Sequence, residues 1–461
     1  MKGWRRARAG LSPRSLGLGV TALLALTACG IEANDLTLEG NGQQEIEFGT
    51  IPGTWVEVGD EISVAALNPE SEEITASDLL VVDGTILATV VSAHDEGSGY
   101  ENINPGVFVF DRGVDDADWS GSAEAVVEAD LDAGEAFGNI ALHTLGGNIG
   151  VTYTLFANGD NELRMATVGD AGEPQAFPEL DQMGLVVSSS LDDSLVYTAS
   201  TDDNNDLWLV RSATAQGDTQ HTVEAGPETF AGTYFSNRHE SRTVRNWDFS
   251  LTSQRVFLVS THDDEDGMLR LSWRPLNCLQ DVTDSEPCTL DASDWSLRSA
   301  EFNYDTRGYT VAFDPLPYNV RLTSDPSASP AQGGGVFIAI IHRERGDEGN
   351  RVGQLFRYNR SDGMTTVGPR FFGPTGTLGN IRPEAAGNLL DVFVTRQGKP
   401  VVVWNEPEVK AAVFVDGQWN LLGGPESGLT VDEGDLAAAA FDDDTDTLYV
   451  MVNRQVYRFE D

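Results

Sequence analysis

Basic residues are scarce in this 461-residue chain: 29 Lys and Arg stand against 73 Asp and Glu, a net charge of -44. That balance excludes a general nucleic-acid binder, because phosphate and protein would repel at every encounter. Cysteine is scarcer still, with three in all, and Cys278 and Cys288 lie too far apart for the CxxC spacing of a zinc site. Long apolar runs are missing. The longest, Leu16–Leu26, is about half of the roughly 20 residues a membrane-spanning helix needs. Sustained helical periodicity is missing too: Ser122–Phe137 is the only candidate helix, and Leu436–Phe441 is too short for one. No HExxH, P-loop, GxSxG or dinucleotide-binding glycine fingerprint occurs, which removes the common hydrolase and nucleotide classes. What remains is 40% apolar, with 48 Gly, 9 Trp and 20 Phe. That composition describes a folded body rather than a disordered tail or a coiled coil.

The amino end reads as a targeting segment. Lys2, Arg5, Arg6, Arg8 and Arg14 precede the apolar run with no acid among them, the pattern of a cleaved export signal. Arg5-Arg6 is followed by Ala7, Arg8 and Ala9, a weak match to twin-arginine export. Leu26-Thr27-Ala28-Cys29 resembles the bacterial lipobox, which implies cleavage after residue 28 and acylation of Cys29 with a membrane lipid. The alternative is an ordinary secretory signal with an incidental cysteine. Gly30, where an Asp would resemble an inner-membrane retention signal, implies the outer membrane or cell surface in a host with two membranes. Residues 1–28 hold five basic residues and no acid, so the remainder has 24 basic residues and a charge of -49. An acidic surface of this kind keeps an exported protein soluble and away from anionic headgroups. In an oxidising compartment Cys278 and Cys288 are expected to form a local disulfide, contributing roughly 3 kcal/mol in the chain-entropy model.

A two-strand unit recurs along the rest of the chain. Its first strand is expected at Ile86–Ala93, Val151–Ala157, Leu195–Ser200, Val256–Thr261, Val336–Ile341, Pro400–Trp404 and Leu448–Val452. Polar stretches opened by His94, Asn158, Thr201, His262, His342, Asn405 and Asn453 follow, at intervals of 64, 43, 61, 80, 63 and 48 residues. The second strand is expected at Gly106–Asp111, Glu162–Val168, Asp206–Arg211, Met268–Trp273, Gly353–Tyr358, Lys410–Val415 and Gln455–Phe459. Repeats of this length with several strands each predict propeller blades. Asp83-Gly84 suits a type I′ hairpin before the first of these strands. Innermost strands are expected at Gly184–Ser189, Trp247–Leu251 and Leu436–Phe441.

The expected fold is therefore all-β: a single β-propeller of seven four-stranded blades, with a β-sandwich pair as the runner-up. The chain ends just after a third strand, so Glu45–Phe48 or Thr54–Val58 is the candidate to fill the last blade and close the ring. The corresponding division is a signal at 1–28, a lipidated tether with a candidate closing strand at 29–52, and the propeller at 53–461. Ser188–Arg211 (SSSLDDSLVYTASTDDNNDLWLVR) resembles the propeller repeat of the Tol-system translocation protein. Pro400–Glu406 followed by Asp416–Gly424 (DGQWNLLGG) resembles blades of sialidase-like or kelch-like secreted propellers. Both resemblances imply a fold rather than a chemistry.

Candidate sites are few. His94, His262 and His342, with Glu96, Asp264 and Glu344 two residues on, occupy equivalent positions. Placed around a ring, they are too far apart for shared metal bonds of about 2 Å. The acidic loops offer calcium candidates at Asp202, Asp206, Asp264, Asp266, Asp442 and Asp446, although Asp is also an ordinary turn former. No other cofactor is expected. Arg238, His239, Arg242 and Arg245 gather among aromatics in Tyr234–Trp247, and Arg307 and Arg370 lie in comparable connections. Arginine forks bind carboxylate or phosphate, so an anionic glycan or peptide carboxylate is the candidate ligand, against simple pairing with local acids. The leading expectation is an exported, lipid-anchored ring that binds a protein or cell-surface glycan, contacts the membrane through Cys29 and performs no chemistry. The alternative is an exo-acting glycan hydrolase or lyase using carboxylates such as Glu240, Asp248 or Asp305.

Overall fold

The computed structural model describes residues 48–63, 74–92, 106–225, 244–275, 319–343, 351–371 and 388–461. Within those ranges it leaves out 115, 117, 122–124, 131–132, 134, 158–159, 170–173, 182–186, 192–194, 202–206, 216–217, 253–254, 263–267, 330–333, 360, 407 and 433–434. No α-helix occurs among the described residues.

Two short strands come first, β1 (Gly49–Ile51) and β2 (Thr54–Glu57). A first sheet holds β3 (Ile74–Val82), β4 (Thr85–Ser92), β5 (Gly106–Gly113), β6 (Ser120–Gly121) and β7 (Val127–Glu128). A second holds β8 (Glu135–Leu145), β9 (Asn148–Ala157), β10 (Asp160–Thr167) and β11 (Gln175–Asp181). A third holds β12 (Val187–Leu191), β13 (Leu195–Thr201), β14 (Leu207–Ala215) and β15 (Asp218–Ala225). In the fourth are β16 (Val244–Leu251), β17 (Arg255–His262) and β18 (Met268–Pro275). In the fifth are β19 (Asn319–Ser324), β20 (Gly335–Arg343), β21 (Arg351–Asn359) and β22 (Gly363–Thr366). The sixth comprises β23 (Asn388–Val394), β24 (Pro400–Glu406), β25 (Glu408–Val415), β26 (Gln418–Leu422) and β27 (Leu429–Thr430), and the seventh β28 (Ala437–Asp442), β29 (Thr447–Val452) and β30 (Gln455–Glu460).

Each sheet is an antiparallel meander whose first strand touches the first strand of the next: β3, β8, β12, β16, β19, β23, β28 and back to β3. That circuit is a β-propeller, with its core divided into layers between neighbouring sheets. Phe257, Val259 and Trp273 of the fourth sheet pack on Val320, Ile338 and Tyr358 of the fifth. Ile341 and Leu355 of the fifth, with Phe371 from the connection after it, pack on Val402, Trp404 and Trp419 of the sixth. A middle strand covered on both faces reads as a continuous apolar run, as in β4, where Ile86–Val91 are all buried. Each fully buried Val, Ile or Phe contributes roughly 1.5–3 kcal/mol.

Local turns obey backbone sterics. Asp83 and Gly84, both at positive φ (49° and 72°), make the β3–β4 hairpin, and Asp416-Gly417 (53° and 85°) makes β25–β26. The amino-terminal strands straddle two sheets. β1 runs parallel to β26, with Gly49 opposite Asn420 and Ile51 opposite Leu422, while β2 pairs antiparallel with β30, from Thr54 opposite Glu460 to Glu57 opposite Tyr457. Gly53 joins them at φ 155°, where an added Cβ would meet the Glu460 carbonyl and the Phe459 ring.

One expectation fails outright. The stretch 122–137 carries β7 and the start of β8 instead of a helix. Its alanines and acids favour helix locally, but Ala129 and Phe137 are drawn into the layer between the first two sheets, and burial overrides propensity.

Candidate functional site

Four first strands carry a charged residue directly followed by an apolar one: Asp78-Leu79 in β3, Asp248-Phe249 in β16, which also carries Arg245, Arg321-Leu322 in β19 and Asp391-Val392 in β23. These strands form the inner rim, so the charged groups surround the axis of the ring. Asp248 is buried, and Asp78 and Asp391 are half-buried.

Two of these carboxylates, Asp78 and Asp248, tie one sheet to the next. Asp78 accepts a hydrogen bond from its own neighbour, Leu79 N (2.9 Å), and another from Leu142 N on β8 (2.7 Å). Asp248 repeats the arrangement with Phe249 N (2.8 Å) and Leu322 N on β19 (2.6 Å). Asp391 accepts from Val392 N at 2.7 Å. Arg321 continues the series in the opposite sense. A register shift between Leu389 and Asp391 bulges β23, and a bulge leaves ladder carbonyls without a strand partner. Arg321 Nε donates to Leu390 O (2.7 Å) and Asn319 Nδ2 to Leu389 O (2.9 Å), so β19 supplies those partners.

The electrostatics follow from enclosure. Burial pushes Asp78 from 3.8 up to about 6, against the pull of its two amide bonds. Burial does the same to Asp248, also to about 6, with Arg321 opposing. Asp391 reaches about 7, first through burial and then through repulsion from Asp248, with Arg321 pulling the other way and Asp78 adding to the rise. Asp78 and Asp391 are not sealed from water, but between packed strands they lack the bulk solvation an exposed carboxylate has.

Of the six arginine and histidine ligand candidates, Arg238, His239, Arg242 and Arg307 fall outside the described residues, as do Cys29, Cys278 and Cys288. His94, Glu96, Asp264, Glu344, Glu240 and Asp305, and the calcium candidates Asp202, Asp206 and Asp266, also lie outside them. Arg245 is on β16, His262 ends β17 and His342 is the penultimate residue of β20.

Arg370 is half-buried in the connection after β22. Its neighbours fix it: Trp419 Nε1 donates to Pro369 O at 2.8 Å, and Phe371 N donates to Gly353 O at 3.0 Å. Trp419 is wholly buried against Phe371 and Phe414. Trp419→Ala should therefore cost about 3–5 kcal/mol in a denaturant titration, and it should also release the segment that holds Arg370.

The described loop from Asp442 to Asp446 uses its oxygens internally. Asp442 Oδ1 accepts from Asp444 N (2.9 Å) and Oδ2 from Thr445 Oγ1 (2.7 Å). Asp446 Oδ1 accepts from Arg396 N (2.8 Å), and Arg396 pairs with Asp444 at 2.8 Å. No group of three or more metal-binding side chains gathers among the described residues.

Asp248, named from sequence as a carboxylate of the enzyme alternative, is buried and accepts from two backbone amides. Asp78 and Asp391 were not singled out at all. The signal that finds them is an acid followed directly by apolar residues inside a strand that is otherwise mostly apolar or small.

No family model matches the chain, and no curated protein matches it. Some solved structures resemble it at low identity. The β-propeller domain of the Trilobed protease from Pyrococcus furiosus, described as having an open velcro topology, is 7% identical over 84% of this chain and 96% of that one, with a TM-score of 0.42. A prolyl endopeptidase is 10% identical over 87% of this chain, with a TM-score of 0.43, and the chain spans 50% of its length. The phage phi92 endosialidase is 10% identical over 88% of this chain and 69% of that one, with a TM-score of 0.42. The class that the sheets and their circuit define is the β-propeller.

Proposed function

We propose that the chain is an exported, lipid-anchored propeller of seven blades, the last completed by β2, which acts at the cell envelope as a non-catalytic binding ring. The observation that carries this reading is the state of the ring's centre. Asp78 and Asp248, with Arg321 and Asn319, are engaged in bonds between adjacent inner strands. A general acid or base needs a carboxyl within reach of a substrate proton. Asp248 is buried and offers none.

Binding then belongs to the loops and connections of one face, with Arg370 as a described member and the Tyr234–Trp247 segment as the sequence candidate. An anionic glycan or a peptide carboxylate fits the fork geometry of arginine. Export and anchoring rest on the amino-terminal signal and the Leu26–Cys29 tetrapeptide.

Cells expressing the full chain and fed an alkyne palmitate should label the protein, and Cys29→Ala should abolish the label and release the chain from membranes. An unlabelled wild-type chain would overturn the anchor. For the ring itself, Arg238→Ala with Arg242→Ala should weaken binding to an acidic-glycan array while no glycan is turned over. Turnover abolished by Glu240→Gln would replace this reading with a glycan hydrolase or lyase.

A further inference from the structure

Asp78, Asp248 and Asp391 begin alike and end differently. In each, the Oδ1 oxygen accepts from the amide of the next residue, at 2.9, 2.8 and 2.7 Å. The Oδ2 oxygens of Asp78 and Asp248 then accept from the first strand of the following sheet, at Leu142 N and Leu322 N. Asp391 Oδ2 has no donor among the described residues, although β28 touches β23 as the next inner strand.

The backbone accounts for the exception. All three strands carry a register shift, but in β3 it falls between Ile74 and Ala76 and in β16 between Val244 and Asn246, with Ser77 or Trp247 still standing before the acid. In β23 the shift falls between Leu389 and Asp391, at the acid itself. Bulges re-aim side chains and are over-represented beside functional sites. This one is held from the adjoining sheet, by Arg321 Nε on Leu390 O and Asn319 Nδ2 on Leu389 O. Leu390, Ala437 and Ala439 are half-buried at the layer between the sixth and seventh sheets. β28 reads AAAAFD, and four alanines in a row bring little side-chain bulk to this part of the rim.

We propose that the axis of the ring binds, at Asp391, a primary ammonium group carried on an aliphatic chain: the ammonium donates to Asp391 Oδ2, and the chain lies along Leu390 and the alanines of β28. A half-buried carboxylate makes a strong charge-assisted bond with such a cation, and methylenes placed against Leu and Ala leave water favourably. Asp78, Asp248 and Asp391 outnumber Arg321 around the axis, so a positive charge is welcome there. This site adds a ligand at the centre of the ring to the binding face proposed above, and it requires neither that face nor the lipid anchor.

Calorimetric titration of the full-length protein with cadaverine at about pH 8, above the value of about 7 to which Asp391 is raised, tests the site. Cadaverine should bind, and the neutral diol of the same length should not. Asp391→Asn should weaken binding at least about tenfold, while Asp60→Asn, at an exposed position, should leave it unchanged. A second titration with Nα-acetyl-lysine methylamide separates the sources of the amine: tighter binding of this probe assigns a lysine side chain of a peptide, and tighter binding of cadaverine a free amine. If Asp391→Asn does not fold, hydrogen exchange of the wild type decides, with cadaverine expected to protect the peptide spanning Asn388–Val394. No heat with either amine, equal binding of the diol, an undiminished affinity in Asp391→Asn, or no protection of that peptide would overturn the proposal.

Discussion

A chain lacking residues 49–63 should fail to melt as one cooperative unit and should associate with itself. This segment contributes far more than two short strands. β1 covers the edge of β26 and β2 covers the edge of β30, so removing both exposes two rows of unpaired backbone groups on neighbouring sheets. Val58 and Ile62, 3% and 1% exposed, lie in the layer between the seventh and first sheets beside Met451 and Val456. The segment is fastened again by Val58 N to Val456 O at 2.8 Å, by Arg454 Nη1 to Ile62 O at 3.1 Å and by the Arg454–Glu61 pair at 2.8 Å. Burying two such side chains contributes roughly 1.5–3 kcal/mol each, and a domain has only about 5–15 kcal/mol to lose. Circular dichroism melts and size-exclusion chromatography read the result. A deletion variant that melts sharply within a few degrees of the wild type would show that the ring closes without it.

Arg321→Ala should be the most damaging single substitution at the rim, and its cost should depend on pH. At about pH 8 the carboxyls of Asp248 and Asp391 are ionised and Arg321 is the cation that opposes their repulsion. Losing this cation together with its bond to Leu390 O should cost about 1.5–3 kcal/mol. Near pH 5 both carboxyls, whose folded values are about 6 and 7, hold their protons and need the cation less. The sign is fixed by the direction of the shifts. A carboxyl raised above its unfolded value of 3.8 stabilises the fold below that value, and the contribution fades as the pH passes through the folded value. The variant should therefore lie closest to the wild type in mild acid. Urea titrations at pH 5 and pH 8 make the comparison, and an equal loss at both would assign Arg321 to its carbonyl bonds alone.

The strand plan was legible because blades recur. Ile86–Ala93, Val336–Ile341 and Leu448–Val452 each fall on a second strand of their sheet, since a strand covered on both faces writes itself as a run of Val, Ile and Leu. Thr54–Val58, one of the two candidates for the last sheet, coincides with β2. Inner strands were harder to read. β3 and β23 mix an acid into the apolar run, and an acid in a strand signals solvent unless a backbone amide waits for it. Neither Leu142 N nor Leu322 N can be seen in the local sequence of Asp78 or Asp248, because the partners lie 64 and 74 residues away. The Ser122–Phe137 helix failed for the same reason. Local propensity was plain, and the neighbouring sheet that overruled it was not.

The joining of the two ends of the chain also sets a timetable. Ile62 meets Arg454 across 392 positions and Gly59 meets Gln455 across 396, so the first strands to emerge during synthesis must wait for nearly the last. Each earlier sheet has its partners close behind it and can assemble as it appears. Until residues 455–460 arrive, β2 lacks the strand it pairs with. A ribosome that stalls late, or a protease that trims the carboxyl end, would therefore produce a nearly complete ring with two adhesive edges.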